Sequence, residues 1–286
     1  VCVDAHDHVV VVDRRNITKE EQETSQAAPP IIMFDAAGNM VRAWGDPNVT
    51  PNSIHGCAFD PENNVWVGGN VDGIIQKYSH DGKLLQQIGT RGVVDTSDGT
   101  QKGKRLNAAH DRLFNPASIA IDPGNGDIYV ADGYGNRRVV VFDKSGKYLR
   151  QWGREGTAEE AEAGVGGVFS HYVHCVHMSR AGLLYVCERS GDRVEVFDKM
   201  GKFVRNIWIR TGTPKLPDPR GTVWDLEFSR DPQQKYVYVM NGRSEVVTVV
   251  ENESGKILGT FGRPGHQAGN FTHGHTIAMD SKGNLY

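Results

Sequence analysis

The chain has 286 residues, 38% of them hydrophobic, with 34 glycines and a formal net charge of −3. That balance argues against a nucleic-acid partner, whose binders usually carry a basic excess, and no apolar run approaches the roughly eighteen residues that a membrane span needs. Four cysteines, Cys2, Cys57, Cys175 and Cys187, lack CxxC spacing, which argues against a structural cysteine–zinc site and leaves the redox compartment open.

The sequence begins inside a strand, at VCVDAHDHVVVVDRR, so a leader segment would lie upstream. A polar insertion follows at 16–30, expected to form a long loop, and then the apolar runs IIMFD and NMVRAWG. The same order of short runs recurs: IHGCAFD, VWVGG, IIQKYS and KLLQQIG over 51–89, then a charged loop over 90–113. Residues 114–153 give the clearest copy. There SIAID, IYVAD, RVVVFD and YLRQWG alternate apolar and polar positions and are separated by Gly/Asn/Asp turns, the signature of successive hairpins. A loop over 154–168, with one expected helical turn, leads to a fourth copy over 169–209 and a fifth over 221–262. A sixth begins at HTIAMD, within 271–286, and stops inside its second strand. A period near forty residues with four strands per repeat predicts an all-β fold, a six-bladed β-propeller in one domain. Its first blade spans 1–45, and its sixth is incomplete in this segment. The strands missing from the sixth blade are expected in flanking sequence, because an open ring leaves unpaired edges. Cys57 and Cys175 fall in predicted inner strands and are expected to be small buried apolar residues.

Aligning the repeats on the residue that ends each first strand (Asp60, Asp122, Ser179, Ser229, Asp280) puts His55, His174 and His275 at one register. Ala117 and Trp224 occupy that register in the intervening blades. The first strand of a blade lines the central channel, and alternate blades of six stand about 120° apart, so the three imidazoles should converge at one depth. Three histidines with an open fourth position are a catalytic-zinc ligand set. One inner-strand histidine alone is more often a satisfied polar residue. With 11 histidines in the chain, however, three chosen registers would all hold one by chance on the order of once in ten thousand. His171, His177 and His273 are nearby alternatives. His177, three residues past His174, is expected to face away, while His273 shares the face of His275 and is expected to line the pocket or replace it.

The turns between second and third strands return to the histidine end of the ring. They carry Tyr134 in ADGYGNRR, Arg189 in CERSGDR and Arg14 in VVDRR. Arginine suits bidentate capture of a carboxylate. A tyrosine among cations should have a lowered pKa and could act as a base. The plainer reading pairs each arginine with its neighbouring acid, Asp13 or Glu188, on a solvated turn.

These residues resemble a known family. The blades resemble NHL repeats, and the whole chain is similar to peptidyl-α-hydroxyglycine α-amidating lyase. The resemblance rests on the histidines of IHGCAFD, VHCVHMS and HTIAMD, on the Asp132-Gly133-Tyr134 turn with Asn136 and Arg137, on Arg14, and on Glu188-Arg189. It implies a zinc-dependent lyase that converts an N-acyl-α-hydroxyglycine to a primary amide and glyoxylate. Zinc would be held by His55, His174 and His275. Tyr134, Arg14 and Arg189 would be catalytic, with His273 and Trp224 in the pocket. The expected partner is a small-molecule or peptide substrate with a carboxylate. A secreted or periplasmic location fits the family. Three departures mark a distant, microbial member: Gly135 where animal members have a disulfide cysteine, Thr276 where they have an aspartate that binds structural calcium, and His273 where they have methionine. Calcium is therefore doubtful. The other readings are a metal-dependent hydrolase or lactonase on the same scaffold, and a non-catalytic NHL module that binds protein or RNA.

Overall fold

The computed structural model describes residues 1–169, 172–209 and 221–286. It is an all-β propeller with five four-stranded sheets, each antiparallel and each ordered along the chain. The first strands are Cys2–Val3, Ile54–Phe59, Ser118–Ile121, Val173–Met178 and Asp225–Phe228. The expected sixth sheet does not form. Residues 271–286 make one antiparallel bridge, Met279 to Leu285, flanked by paired hydrogen bonds between Ala278 and Tyr286. A blade of this chain takes about forty residues, and this segment is too short for four strands. The short hairpin packs on the fifth blade through Ile277 against Met240 and Val247. It reaches the first blade through two hydrogen bonds from Ser281 to Asp7, at 2.8 and 2.7 Å.

Second and third strands are buried along their whole length in the middle blades, as at Ile128–Asp132, Arg138–Phe142 and Leu184–Glu188. The cause is that blades stack face to face, so both faces of a strand meet apolar neighbours. One core cluster joins blades three and four through Tyr129, Val139 and Val141 against Val176, Val186 and Phe197. The next joins blades four and five through Val194, Val196 and Ile207 against Leu226, Val237 and Val239. In every blade the third and fourth strands slip register at one place, as between Val141 and Phe142 or Val196 and Phe197. Such bulges increase twist toward the rim.

Both polar loops hold one short helix. Lys19–Gln22 and Ala158–Glu162 each begin with a capping box, Thr18 with Glu21 and Thr157 with Glu160, which satisfies the free N–H groups of the first turn. The cysteines differ from expectation. Cys57 and Cys175 are not isolated apolar residues: Cys2 is bonded to Cys57 and Cys175 to Cys187. The first bridge joins the inner strands of blades one and two. The second joins directly paired positions of neighbouring strands in blade four. Among the described residues no helix is long and apolar enough to cross a membrane.

Candidate metal centre and the cavity above it

His55 and His174 lie near the starts of their first strands, and both occupy bulges. Ile54 and Gly56 pair with consecutive residues Gly69 and Gly68, so His55 is the extra residue. Val173 and Cys175 likewise pair with Glu188 and Cys187, leaving His174 extra. A bulge re-aims its side chain, and here it turns both imidazoles to the axis. His275 joins them from the segment before the terminal hairpin. Ring centroids are 4.8 Å apart for His55 and His174, 4.5 Å for His55 and His275, and 5.0 Å for His174 and His275. One nitrogen from each ring falls in a group whose atoms all lie within 4.8 Å of one another.

The intervening blades orient the rings. His55 Nδ1 donates to the Ala117 carbonyl at 2.7 Å, and His174 Nδ1 donates to the Trp224 carbonyl at 2.5 Å. A carbonyl only accepts, so both rings carry their proton on Nδ1 and present an unprotonated Nε2 to the axis. Ala117 and Trp224 hold the shared register in blades three and five, so these two blades supply a main-chain anchor in place of a histidine. Burial lowers the pKa of all three histidines and Arg189 adds to it; neighbouring imidazoles add further for His55 and His174, while Asp225 partly opposes the shift of His275, which falls to about 4. They are neutral at pH 7, with lone pairs free to bind a cation.

Tyr134 caps this group. Its Oη lies 2.9 Å from His55 Nε2 and 2.9 Å from His174 Nε2, and it accepts from Arg189 Nη1 at 3.3 Å. The phenol has one proton for two imidazole acceptors. One lone pair is therefore left facing the axis, an arrangement that suits a bound cation. Burial raises the Tyr134 pKa, and the two guanidinium groups only partly oppose it. The sequence expectation of a lowered pKa is thus reversed: removal from water outweighs the arginines.

The turn that carries Tyr134 is rigidly seated. Asp132 accepts from Phe114 N at 2.7 Å, Asn136 Nδ2 at 2.7 Å and Arg138 Nε at 2.9 Å. Arg137 donates to the Gly133 and Asn136 carbonyls at 3.0 and 2.7 Å, clamping the turn from within. A Cβ on Gly135 would overlap the Phe114 ring, so the turn has no room for a side chain there. In blade four Glu188 is engaged by Arg193 Nε at 2.6 Å, and in blade one Asp13 accepts from Arg15 N at 2.8 Å. Each acid thus has a partner besides the arginine that the plainer reading gives it.

Arg14, Tyr134, Arg189, Trp224, His273 and His275 line one cavity of about 560 Å³ with His55 at its floor. Arg14 Nε donates to the Ile54 carbonyl at 3.2 Å, and the Arg189 guanidinium lies 4.6 Å from the Trp224 ring centroid. His273 lines the cavity in a left-handed conformation, φ 55°, and stays outside the ligand group. His177 does not face away from the channel. The bulge at His174 breaks the strand's alternation, and both residues border a cavity of about 30 Å³ that His55 also lines. His177 Nε2 is 2.7 Å from Asp225 Oδ1. His171 lies outside the described residues. Thr276 Oγ1 accepts from the Val1 amine at 2.8 Å. Sequence reasoning missed Tyr172, whose ring lies tilted 5.1 Å from that of Tyr134 and takes Arg137 and Arg189 over its face at 5.5 and 5.0 Å. Its position two before His174 was the available signal.

Residues 115–142 match the NHL repeat family. The human NHL repeat-containing protein 3 is 30% identical over 194 residues, covering 66% of this chain and 51% of its own length. Peptidyl-alpha-hydroxyglycine alpha-amidating lyase 1 of Drosophila melanogaster is 31% identical over 149 residues, covering 50% of this chain and 24% of its own. The chain therefore spans about half the length of the first relative and a quarter of the second. Virginiamycin B lyase from Staphylococcus aureus, solved with quinupristin, superposes with TM-score 0.57 at 15% identity, over 97% of this chain and 72% of its own. That likeness concerns the fold alone. The expected microbial source finds no support in the two animal relatives.

Proposed function

We propose that the protein is a zinc-dependent lyase that cleaves an N-acyl- or peptidyl-α-hydroxyglycine to a primary amide and glyoxylate. The observation that carries this reading is the Tyr134 hydroxyl, 2.9 Å from the Nε2 atoms of both His55 and His174, beneath two arginines. The similarity to the fly lyase supports it. In this reading His275 comes from the segment before the terminal hairpin, which packs on the fifth blade and reaches the first, and so completes the group begun by His55 and His174. Imidazole nitrogens favour zinc over calcium, which prefers oxygen. Zinc held by His55, His174 and His275 would supply Lewis acidity toward the substrate hydroxyl.

The chain's own residues do the rest. Arg14 and Arg189 bind the substrate carboxylate and place the carbinol over the three rings. Burial keeps Tyr134 a phenol in the metal-free cavity, so the phenolate depends on positive charge added beside the two arginines. As the phenolate, Tyr134 takes the hydroxyl proton. The O–H electron pair becomes the aldehyde C=O, the C–N bond breaks toward nitrogen, and the Tyr134 proton passes to that nitrogen. No oxidant or water is consumed. Trp224 forms an apolar wall of the cavity, and Tyr172 packs behind Tyr134. The two disulfides suit an oxidising compartment, in keeping with a secreted protein.

The test compares the parent with His174→Ala by elemental analysis and by glyoxylate release from α-hydroxyhippurate. The substitution should remove one zinc per chain and abolish release. A parent that releases no glyoxylate, or a variant that keeps both its zinc and its activity, would refute the proposal.

A further inference from the structure

Each of the five blades ends its first strand in a turn held by an acidic or hydroxyl side chain, and one of the three acids, Asp4, differs from Asp60 and Asp122 in its partners. In blades two and three, Asp60 and Asp122 each use Oδ1 to accept a main-chain N–H of the turn, from Asn64 at 2.8 Å and Gly124 at 2.9 Å. Each uses Oδ2 to pair with a lysine, Lys77 at 2.6 Å and Lys199 at 2.5 Å. In blade one, Asp4 makes the same turn: its Oδ1 accepts from His6 N and His8 N, both at 2.8 Å. Its Oδ2 meets two imidazoles instead of an ammonium, His8 Nδ1 at 2.9 Å and His80 Nε2 at 2.9 Å. An ammonium has no lone pair to offer a metal, whereas an imidazole that gives up its proton does. The substitution of two histidines for one lysine converts a plain ion pair into a ligand set.

We propose that Asp4, His8 and His80 form a second binding site, for a divalent transition metal of the zinc class, that ties blade one to blade two. Their candidate ligand atoms all lie within 4.8 Å of one another. The Asp4 side chain is fully buried and aimed by Asn63, whose Nδ2 donates to Oδ2 at 3.2 Å and whose Oδ1 accepts from Ala5 N at 3.3 Å. That is the outer-shell support a ligating carboxylate needs. The two imidazoles are partly open, with side-chain exposures of 28% and 38%, so an ion can enter and a water can complete the shell. The His6 ring, exposed and with its centroid 6.2 Å from that of His8, is a further donor on the same turn. Tetrahedral zinc with ligands near 2.1 Å separates its donor atoms by about 3.4 Å, so the 2.9 Å contacts need open by about half an ångström.

The topology puts this site on the face opposite Tyr134. Asp4 follows the end of its first strand, and His80 follows the end of the third strand Ile75–Tyr78, whereas His55 stands at the start of its own. Asp4 is two residues from Cys2, whose bridge to Cys57 also crosses from blade one to blade two. Metal and disulfide would together staple the place where the terminal hairpin meets the first blade. Zinc here is structural and takes no part in the reaction proposed above.

The test measures zinc stoichiometry by equilibrium dialysis on the full chain, in the parent, in His8→Gln/His80→Gln, in His174→Ala and in the triple variant. The double glutamine variant should bind one zinc fewer than the parent. His174→Ala should keep a zinc that the triple variant lacks, and added zinc should raise the melting temperature of His174→Ala but not of the triple variant. Calcium at the same concentration should neither compete nor stabilise. Should the double variant fold poorly, His80→Gln alone, on an exposed turn, should weaken this zinc at least tenfold. Equal zinc stoichiometry with and without His8 and His80, or no zinc in the parent, would overturn the proposal. Failure of the three-histidine reading would look different: His174→Ala would match the parent, and the zinc present would still depend on His8 and His80.

Discussion

Tyr134→Phe isolates the proposed chemistry from the fold. The substitution removes one oxygen and leaves the ring packed edge-on to His55 and tilted against Tyr172, at centroid distances of 5.0 and 5.1 Å. Two imidazole nitrogens, His55 Nε2 and His174 Nε2, lose the hydroxyl, and Arg189 keeps its place over the Trp224 ring. Leaving buried polar groups without a partner costs on the order of 1–3 kcal/mol, within a domain stability of about 5–15 kcal/mol, so the variant should fold. Loss of a general base slows a reaction about 10²- to 10⁴-fold, which is roughly 3–5 kcal/mol in the barrier. The assay is glyoxylate release from saturating α-hydroxyhippurate, read beside zinc content and a thermal melt. We expect a small drop in Tm, unchanged zinc, and turnover reduced at least a hundredfold. Turnover within about threefold of the parent, with zinc retained, would show that Tyr134 is not the base and would refute the assignment.

Four further outcomes follow from the geometry. Arg14→Ala removes one guanidinium from the cavity and should raise KM for α-hydroxyhippurate about tenfold or more while barely affecting its methyl ester; an equal effect on acid and ester would exclude carboxylate recognition. Gly56→Ala sets a Cβ 2.7 Å from the Ala117 carbonyl that anchors His55, so it should weaken zinc binding in dialysis even though no ligand is changed; unaltered affinity would mean the anchor is dispensable. Removing the Cys2–Cys57 bridge, which spans 55 residues, should cost about 4 kcal/mol in urea denaturation, against about 3 kcal/mol for Cys175–Cys187, which spans 12; the reverse order would contradict the loop-entropy account. Burial pushes Glu195 up to about 8, above its unfolded value near 4.5, so its contribution is complete below pH 4.5 and is lost as pH rises through 8. The Glu195→Gln melting temperature should therefore fall less than the parent's between pH 5 and pH 9, and parallel curves would sink the assignment.

The repeat is legible because it is written in the two signals that sequence carries best, alternation of apolar residues and glycine-marked turns. The same alignment locates His55, His174 and His275, because a propeller turns a register in sequence into a depth along the axis. What stays hidden is whatever depends on one residue's slip or on a neighbouring blade. The bulges at His55 and His174 break the period of two, which is why His177 lies on the channel side where strict alternation would turn it outward. Cys2 and Cys57 are 55 residues apart, and only stacking of the inner strands brings them together. Asp4 and His80 meet for the same reason. The sign of the Tyr134 pKa shift could not be read from the charges around it, because the burial that outweighs them is a property of the assembled cavity.

The alternation of histidine and non-histidine blades has a physical logic of its own. At the histidine register adjacent first strands touch: a Cβ on Gly56 would stand 3.1 Å from the Ser118 Cα of the next blade. Such strands have no room for inward imidazoles on every blade, but they bring each histidine within reach of the neighbour's main chain. The structure uses that contact twice, in His55 with Ala117 and His174 with Trp224. Because the anchors are carbonyls, they do not depend on which side chains Ala117 and Trp224 carry. Those side chains are free for other work, and Trp224 has taken it up: its ring packs 5.3 Å from His275 and under the Arg189 guanidinium. One register thus supplies inward nitrogen, the carbonyl that orients it and a wall of the cavity above, which is why the site can be found by aligning blades and understood only by stacking them.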